Sequence, residues 1–217
     1  MYRTAFLRNS FGLVFLFVFA VSCNSQKERL PYYNSPDFTP LFTDNPNAEI
    51  SHKIAGFSFI NQDEKIITNK TVAGKIHIAD FIFTRCGSIC PTMTKNLKKV
   101  SDKFENDTNV VFVSYSVTPW IDSVPQLKQY KQNHQIKNPN WHFLTGDKAK
   151  IYTLARTSYF AEEDLGFSKD STDFLHTEHI LLVDSSLRIR GIYNGTLKLD
   201  MEQLTNDIRT LEEQNLN

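Results

Sequence analysis

The sequence predicts an α/β fold in which a central mixed β-sheet is flanked by helices on both faces. Runs of β-branched and aromatic residues alternate with segments whose apolar residues recur at helical spacing. Near the end, two strand-like runs are separated by three turn residues and followed by a helical segment. This order predicts that a β-hairpin and a helix close the sheet. The chain is long enough to bury one full hydrophobic core.

The first half of the chain begins with a short predicted hairpin, because residues 55–60 and 65–67 alternate loosely between apolar and polar side chains. Residues 75–84 (KIHIADFIFT) predict a buried central strand. Pro91 suits the first turn of a following helix, where its missing N–H costs nothing. The apolar side of this helix is predicted at Met93, Leu97, Val100 and Phe104.

The second half repeats the alternation. Residues 110–117 (VVFVSYSV) predict a second buried strand, and residues 124–134 predict a helix with Leu127 and Tyr130 on its apolar side. The remaining predicted elements are a strand at 141–144, a helix at 149–157, hairpin strands at 179–183 and 187–193, and a helix at 200–213.

The N-terminus has the pattern of an export signal. Arg3 and Arg8 precede an unbroken apolar run at residues 11–20, which is short for a membrane span. Small residues then lead to Cys23. A signal that ends in this way resembles a bacterial lipoprotein signal, in which the cysteine becomes the lipidated first residue. An ordinary signal peptide and an uncleaved single-span anchor are the alternatives.

Three regions are therefore expected: a lipoprotein signal peptide at 1–22, a flexible tether at 23–48 and the folded domain at 49–217. The tether is inferred from composition, since residues 24–47 hold four of the eight prolines among many polar residues. Without the signal, the chain carries 22 basic and 24 acidic residues. This balance, without a basic stripe, argues against binding to nucleic acid.

The sequence has three cysteines, and Cys86 and Cys90 form a close pair between a predicted strand and a predicted helix. A thiol at a helix N-terminus is favoured as the thiolate, which is both the nucleophile of disulfide exchange and a soft ligand for Cu(I). A local structural disulfide is the alternative, although it gains little from closing so short a loop. Structural zinc would need four ligands, and haem attachment would need the CxxCH pattern, which is absent.

Several segments, in the same order, resemble the Sco family of copper proteins. Residues 83–91 (FTRCGSICP) are similar to the family's FTxCxxxCP signature, and residues 116–130 resemble its S-V-D-P-x-x-D-T-P segment. Residues 141–146 match W-x-x-L-T-G. The chain departs from the pattern at Gly87, where many relatives have proline, and at Thr118, where the family has aspartate. The resemblance implies a thioredoxin-like fold.

The resemblance also implies one copper ion, as Cu(I) or Cu(II), bound by Cys86, Cys90 and His176. His176-Thr177 fits the family's histidine motif just ahead of a strand, whereas His179 falls inside that strand and is interpreted as a neighbour. The absence of proline after Pro139 argues against a plain thioredoxin, which carries one opposite its cysteines. The other histidines are interpreted as surface or half-buried strand residues: His52, His77, His134 and His142.

The resemblance favours a metallochaperone, more a binding protein than an enzyme, that delivers copper to the binuclear copper site of a respiratory cytochrome c oxidase. Its implied partners are the copper subunit of the oxidase, a copper donor and a thiol reductant. It would be lipid-anchored to a bacterial membrane and face the periplasm or the exterior. The alternative is a thiol–disulfide oxidoreductase that cycles Cys86 and Cys90 as a redox pair. A peroxidase, with Arg85 or Arg156 near the thiol, is a weaker third hypothesis.

Overall fold

The computed structural model describes residues 29–161 and 177–215. Within these residues nine strands form one mixed sheet, and six helices pack around it. The strands are β1 Tyr32–Tyr33, β2 Pro40–Leu41, β3 Ser58–Asn61, β4 Ile66–Thr68, β5 Ile76–Ile82, β6 Val110–Ser116, β7 Trp141–Thr145, β8 His179–Val183 and β9 Ile189–Asn194. The helices are α1 Pro46–Glu49, α2 Asn69–Val72, α3 Ile89–Ser101, α4 Val124–Asn133, α5 Lys148–Ser158 and α6 Lys198–Asn215.

The strand order is β2-β1-β9-β8-β5-β6-β7-β3-β4. Strands β5, β6 and β7 are parallel, and their neighbours on either side pair antiparallel. All seven residues of β5 and of β6 are buried. This burial on both faces explains why the two strands show continuous apolar runs in the sequence, since parallel strands are covered by helices above and below.

Alternate residues of the central strands contribute to two separate hydrophobic cores, one on each face of the sheet. On β5, Ile78 packs in the core that contains Leu97 of α3, Leu127 of α4 and Leu204 of α6. Its neighbour Ala79 packs in the opposite core, which contains Ile151 and other residues of α5. The predicted mixed sheet with helices on both faces is therefore confirmed.

The predicted elements all have counterparts, with boundaries that differ by up to three residues, as at the start of β3. The helix after β5 begins at Ile89, so Cys90 and Pro91 both lie in its first turn, as expected for Pro91. Phe104, the last residue of the expected apolar stripe, lies in a 3-10 turn that follows the helix. The early hairpin and the late hairpin occur as β3–β4 and β8–β9.

Residues 29–48, which belong to the expected tether, begin attached to the edge of the sheet. Strand β1 pairs antiparallel with β9. The buried guanidinium of Arg190 donates hydrogen bonds to the carbonyls of Leu30 (2.7 Å) and Pro31 (2.9 Å) and lies 3.8 Å from the ring centre of Tyr32. These contacts supply partners for a buried charge and hold the segment in place. The proposed signal peptide and Cys23 lie outside the described residues, and no described helix is long and apolar enough to cross a membrane.

Candidate metal centre

Cys86 and Cys90 lie where strand β5 passes into helix α3, at the carboxyl edge of the three parallel strands. Ligand sites of open α/β sheets collect at this edge. Cys86 lies in the loop between β5 and α3, and its N–H donates to the carbonyl of Phe83 at 3.1 Å. Cys86 is partly exposed, Cys90 is 8% exposed, and both thiols are free. The structure therefore presents one accessible sulfur and one shielded sulfur.

The two thiols differ in acidity. Burial works to raise the pKa of Cys86, but hydrogen bonds from the N–H groups of Cys90, Ser88 and Ile89 and from the Cys90 thiol outweigh it, and the pKa falls below its usual value. Burial raises the pKa of Cys90 to about 12, and its hydrogen bond to Cys86 adds to the rise. Cys86 is therefore the thiolate that forms first, because the start of helix α3 surrounds it with donors.

A buried carboxylic acid, Asp80 of β5, lies close enough to the pair for its charge to raise the pKa of Cys90. Asp80 is 1% exposed, and burial raises its own pKa to about 7. One oxygen accepts a 2.5 Å hydrogen bond from Ser114, whose hydroxyl in turn accepts from the Trp141 indole at 2.8 Å. The other oxygen, Oδ2, has no hydrogen-bond partner among the residues that the structure describes. Asp80 was not among the predicted site residues, although one charged residue within a run of apolar residues was a usable signal.

Tyr130 of helix α4 also belongs to the surroundings of the pair. Its hydroxyl lies 2.8 Å from the hydroxyl of Thr94, one turn beyond Cys90 on helix α3. Burial raises the pKa of Tyr130, and the negative charges of Cys90, Asp80 and Cys86 contribute to the rise. The phenol therefore remains protonated at neutral pH and lies near enough to the thiols to respond to their charge.

His176, the predicted third ligand, lies outside the described residues. The residues that follow it, 177–179, line a cavity of about 370 Å³ together with Ile89, which sits between the two cysteines in the chain. The His179 ring packs edge-on against Phe38, with ring centres 5.7 Å apart. Phe38 packs against the core on the side of the sheet opposite helix α3.

The other four histidines are all occupied by contacts elsewhere in the fold. The His52 ring meets the carbonyl of Ser158 at 2.8 Å, and the His142 ring meets the amide of Asn61 at 3.2 Å. His134 lies against Tyr130. His77 was expected to be half-buried but is fully buried, with its Nε2 atom 3.1 Å from the Tyr159 hydroxyl. Within the described residues, no three His, Cys, Asp or Glu side chains form a cluster that could hold a metal ion.

The fold and its dithiol define a thioredoxin-like protein with a pair of cysteines at the start of the helix that follows a parallel strand. The family model described as SCO1/SenC matches residues 45–213. The chain belongs to this family, as the sequence motifs predicted.

Solved structures of family members are similar in sequence and shape. A SCO1/SenC family lipoprotein from Bacillus anthracis is 28% identical, with a TM-score of 0.66, over 75% of this chain and 96% of its own. BsSco, described as having a disulfide switch and as a member of the Sco family of cytochrome c oxidase assembly proteins, is 29% identical, with a TM-score of 0.63, over 74% and 93%. Arabidopsis thaliana ScoI with copper bound is 27% identical, with a TM-score of 0.56, over 73% and 98%. The thioredoxin-like fold is thereby confirmed.

Proposed function

We propose that this chain is a copper metallochaperone that delivers copper to the binuclear copper site of a respiratory cytochrome c oxidase. The observation that supports this function most strongly is the asymmetric dithiol, with an accessible thiol of lowered pKa at Cys86 and a shielded thiol of raised pKa at Cys90. The copper-bound ScoI relative and the oxidase assembly role of the BsSco family support the choice of metal and recipient.

The donor atoms at this edge fit copper. Two sulfurs in one turn suit Cu(I), and an imidazole from His176 would complete a mixed set that can also hold Cu(II). Cys86 provides the first sulfur as a thiolate. Cys90 must release a proton before its sulfur can bind, so copper uptake is expected to release about one proton from this residue.

An open site also suits a protein that transfers its metal to an acceptor. Cys86 is partly exposed at the rim of the sheet, and Ile89, which lies between the two cysteines in the sequence, lines a nearby cavity. An acceptor's ligand could therefore approach the copper while Cys90 still holds it from the shielded side. This arrangement favours ligand exchange over permanent storage.

The His176 assignment can be tested through the two copper oxidation states. His176→Ala is expected to weaken Cu(II) binding far more than Cu(I) binding, because two thiolates can still hold Cu(I). His179→Ala is the matched control, three residues further along, and should leave both affinities near those of the unchanged protein. Unchanged Cu(II) affinity in His176→Ala would refute the ligand assignment.

A thiol–disulfide oxidoreductase is the second candidate, because the same pair has the form of an attacking thiol and a shielded resolving thiol. In that role Cys86 would attack a disulfide in the copper-site partner, and Cys90 would then displace the reduced partner while a Cys86–Cys90 disulfide forms. The disulfide switch described for BsSco gives this candidate its support. A reduction potential outside the range of reducing oxidoreductases, measured against glutathione, would exclude it.

We further propose that Cys23 is lipidated after removal of residues 1–22, so that the domain is anchored to a bacterial membrane and faces the periplasm or the exterior. The export-signal pattern and the description of the Bacillus anthracis relative as a lipoprotein support this. Cys23→Ala should release the protein from the membrane fraction and abolish incorporation of labelled fatty acid. Retention in membranes with unchanged labelling would contradict the anchor.

A further inference from the structure

Asp122 is a buried carboxylate at the candidate metal edge for which the proposed copper binding provides no role. It is 0% exposed and lies in the turn that follows β6, where its N–H donates to the carbonyl of Thr118 at 2.9 Å. Among the described residues, no lysine or arginine forms an ion pair with it. A buried charge without a cation is costly unless hydrogen bonds compensate it. The partners of this carboxylate therefore indicate what it does.

Four hydrogen bonds reach the Asp122 carboxylate, and they come from two different segments. Ser116 and Thr118, at the end of β6, donate their hydroxyls at 2.6 and 3.0 Å. Thr84, which follows β5, donates its hydroxyl at 2.5 Å and its N–H at 3.4 Å. The carboxylate thus joins the segment after β6 to the segment after β5.

The position of Thr84 explains why this connection matters for the cysteine pair. Thr84 is two residues before Cys86, whereas Cys90 is fixed by helix α3. The last residues paired between β5 and β6 are Ile82 and Ser116, so the Asp122 bonds extend the attachment beyond the sheet to the start of the cysteine loop. Arg85, Gly87 and Ser88 are exposed. Asp122 therefore holds the chain at Thr84, two residues before Cys86.

We propose that Asp122 is a positioning residue for the Cys86–Cys90 pair, acting through Thr84. By holding the start of the loop against the end of β6, it keeps the Cys86 sulfur within reach of Cys90 for chelation or for disulfide formation. This role rests on the proposed function of the dithiol. A carboxylate suits it, because its two oxygens accept all four hydrogen bonds at once and no neutral side chain has the same number of acceptor sites.

Two threonine variants separate positioning from general stabilisation. Thr84→Val removes the hydroxyl on the cysteine side of Asp122, and Thr118→Val makes the same chemical change on the β6 side. Both are made in the full chain carrying Cys23→Ser, purified in detergent, with thermal unfolding of the metal-free protein measured in parallel. Thr84→Val is expected to lower Cu(II) affinity about 10- to 100-fold and to shift the thiolate-to-copper absorption band. Thr118→Val should keep the affinity within about threefold and leave the band in place.

The metal-free protein provides an independent measurement. At equilibrium, the dithiol and oxidised glutathione exchange to a Cys86–Cys90 disulfide and two molecules of reduced glutathione, so electrons and protons balance. Thr84→Val should change this equilibrium constant at least about threefold, and Thr118→Val should not. Asp122→Ala should reproduce the effect of Thr84→Val, and adding Thr84→Val to Asp122→Ala should change little further, because the two residues act through one contact.

The outcomes are distinguishable from a failure of the proposed function. If the unchanged protein binds no copper, the metallochaperone proposal fails, while the glutathione equilibrium still tests the positioning. Equal effects of Thr84→Val and Thr118→Val on the copper absorption band and on the glutathione equilibrium would overturn the positioning role. The hydrogen bonds to Asp122 would then only stabilise this edge of the sheet. If Asp122→Ala does not fold, the two threonine variants decide the question by themselves.

Discussion

The asymmetry between the two thiols predicts that Cys86 reacts far faster than Cys90 with an alkylating reagent. The Cys86 pKa lies below its ordinary value of 9.0, and the Cys90 pKa is raised to about 12. At neutral pH the thiolate fractions then differ by more than about 10³-fold. A thiolate of higher pKa is intrinsically more nucleophilic, which reduces the minimum difference in rate to roughly 30- to 60-fold. The burial of Cys90 should widen it again.

The assay is iodoacetamide alkylation of the reduced chain carrying Cys23→Ser at pH 7.5, with the modified cysteine located by mass spectrometry. The Cys90→Ser and Cys86→Ser variants measure each thiol alone. Cys90 should remain slow in Cys86→Ser, because burial is the first cause of its raised pKa. In guanidinium chloride both thiols should react at similar rates. Equal rates in the folded protein would refute the assignment of attacking and shielded thiols.

Three further predictions concern buried groups. Burial lowers the pKa of His77 to about 3, so the stability that this residue contributes is present above its unfolded pKa of 6.5 and is lost as pH falls. The unfolding free energy, measured by urea denaturation, should therefore decrease between pH 8 and pH 5 by about 2 kcal/mol less in His77→Gln than in the unchanged protein. Because burial raises the pKa of Asp80 to about 7, the folded state loses stability as pH rises above the unfolded pKa of 3.8. Asp80→Asn should remove up to about 4 kcal/mol of the decrease in unfolding free energy between pH 4 and pH 8. An unchanged pH profile would contradict the assigned burial. Arg190→Ala leaves the buried Asp184 carboxylate without its cation and removes the hydrogen bonds to the carbonyls of Leu30 and Pro31. The unfolding free energy should therefore fall by about 3 kcal/mol or more, and limited proteolysis before residue 49 should accelerate. Arg29→Ala, which removes an exposed ion pair, should have little effect.

The strands and helices could be predicted because their patterns depend on local periodicity. The residues of β5 and β6 form unbroken apolar runs, and they are buried on both faces. The cysteine pair could be assigned to the edge of the sheet for a related reason, since a strand before it and a helix after it leave little choice of location. His176 and Cys23 remain predictions, because both lie outside the described residues.

Contacts between distant parts of the chain could not be predicted in this way. Residues 29–48 have the composition of a linker, but Arg190, about 160 positions away, fixes their start to the sheet. The clustering of Thr84 with Asp122 likewise depends on two strands lying side by side. Single polar residues within apolar strands, such as His77 and Asp80, stand out in the sequence, but their hydrogen-bond partners lie in other elements. Their roles become visible only when their neighbours are known.

Copper binding by the cysteine pair can be tested by titrating Cu(II) into the reduced chain carrying Cys23→Ser while recording the absorption spectrum. We expect an intense thiolate-to-copper charge-transfer band that saturates at one equivalent and is absent when Cys86→Ser is added. No band at one equivalent, in a protein whose two thiols are shown to be reduced, would contradict the metallochaperone function and favour the oxidoreductase.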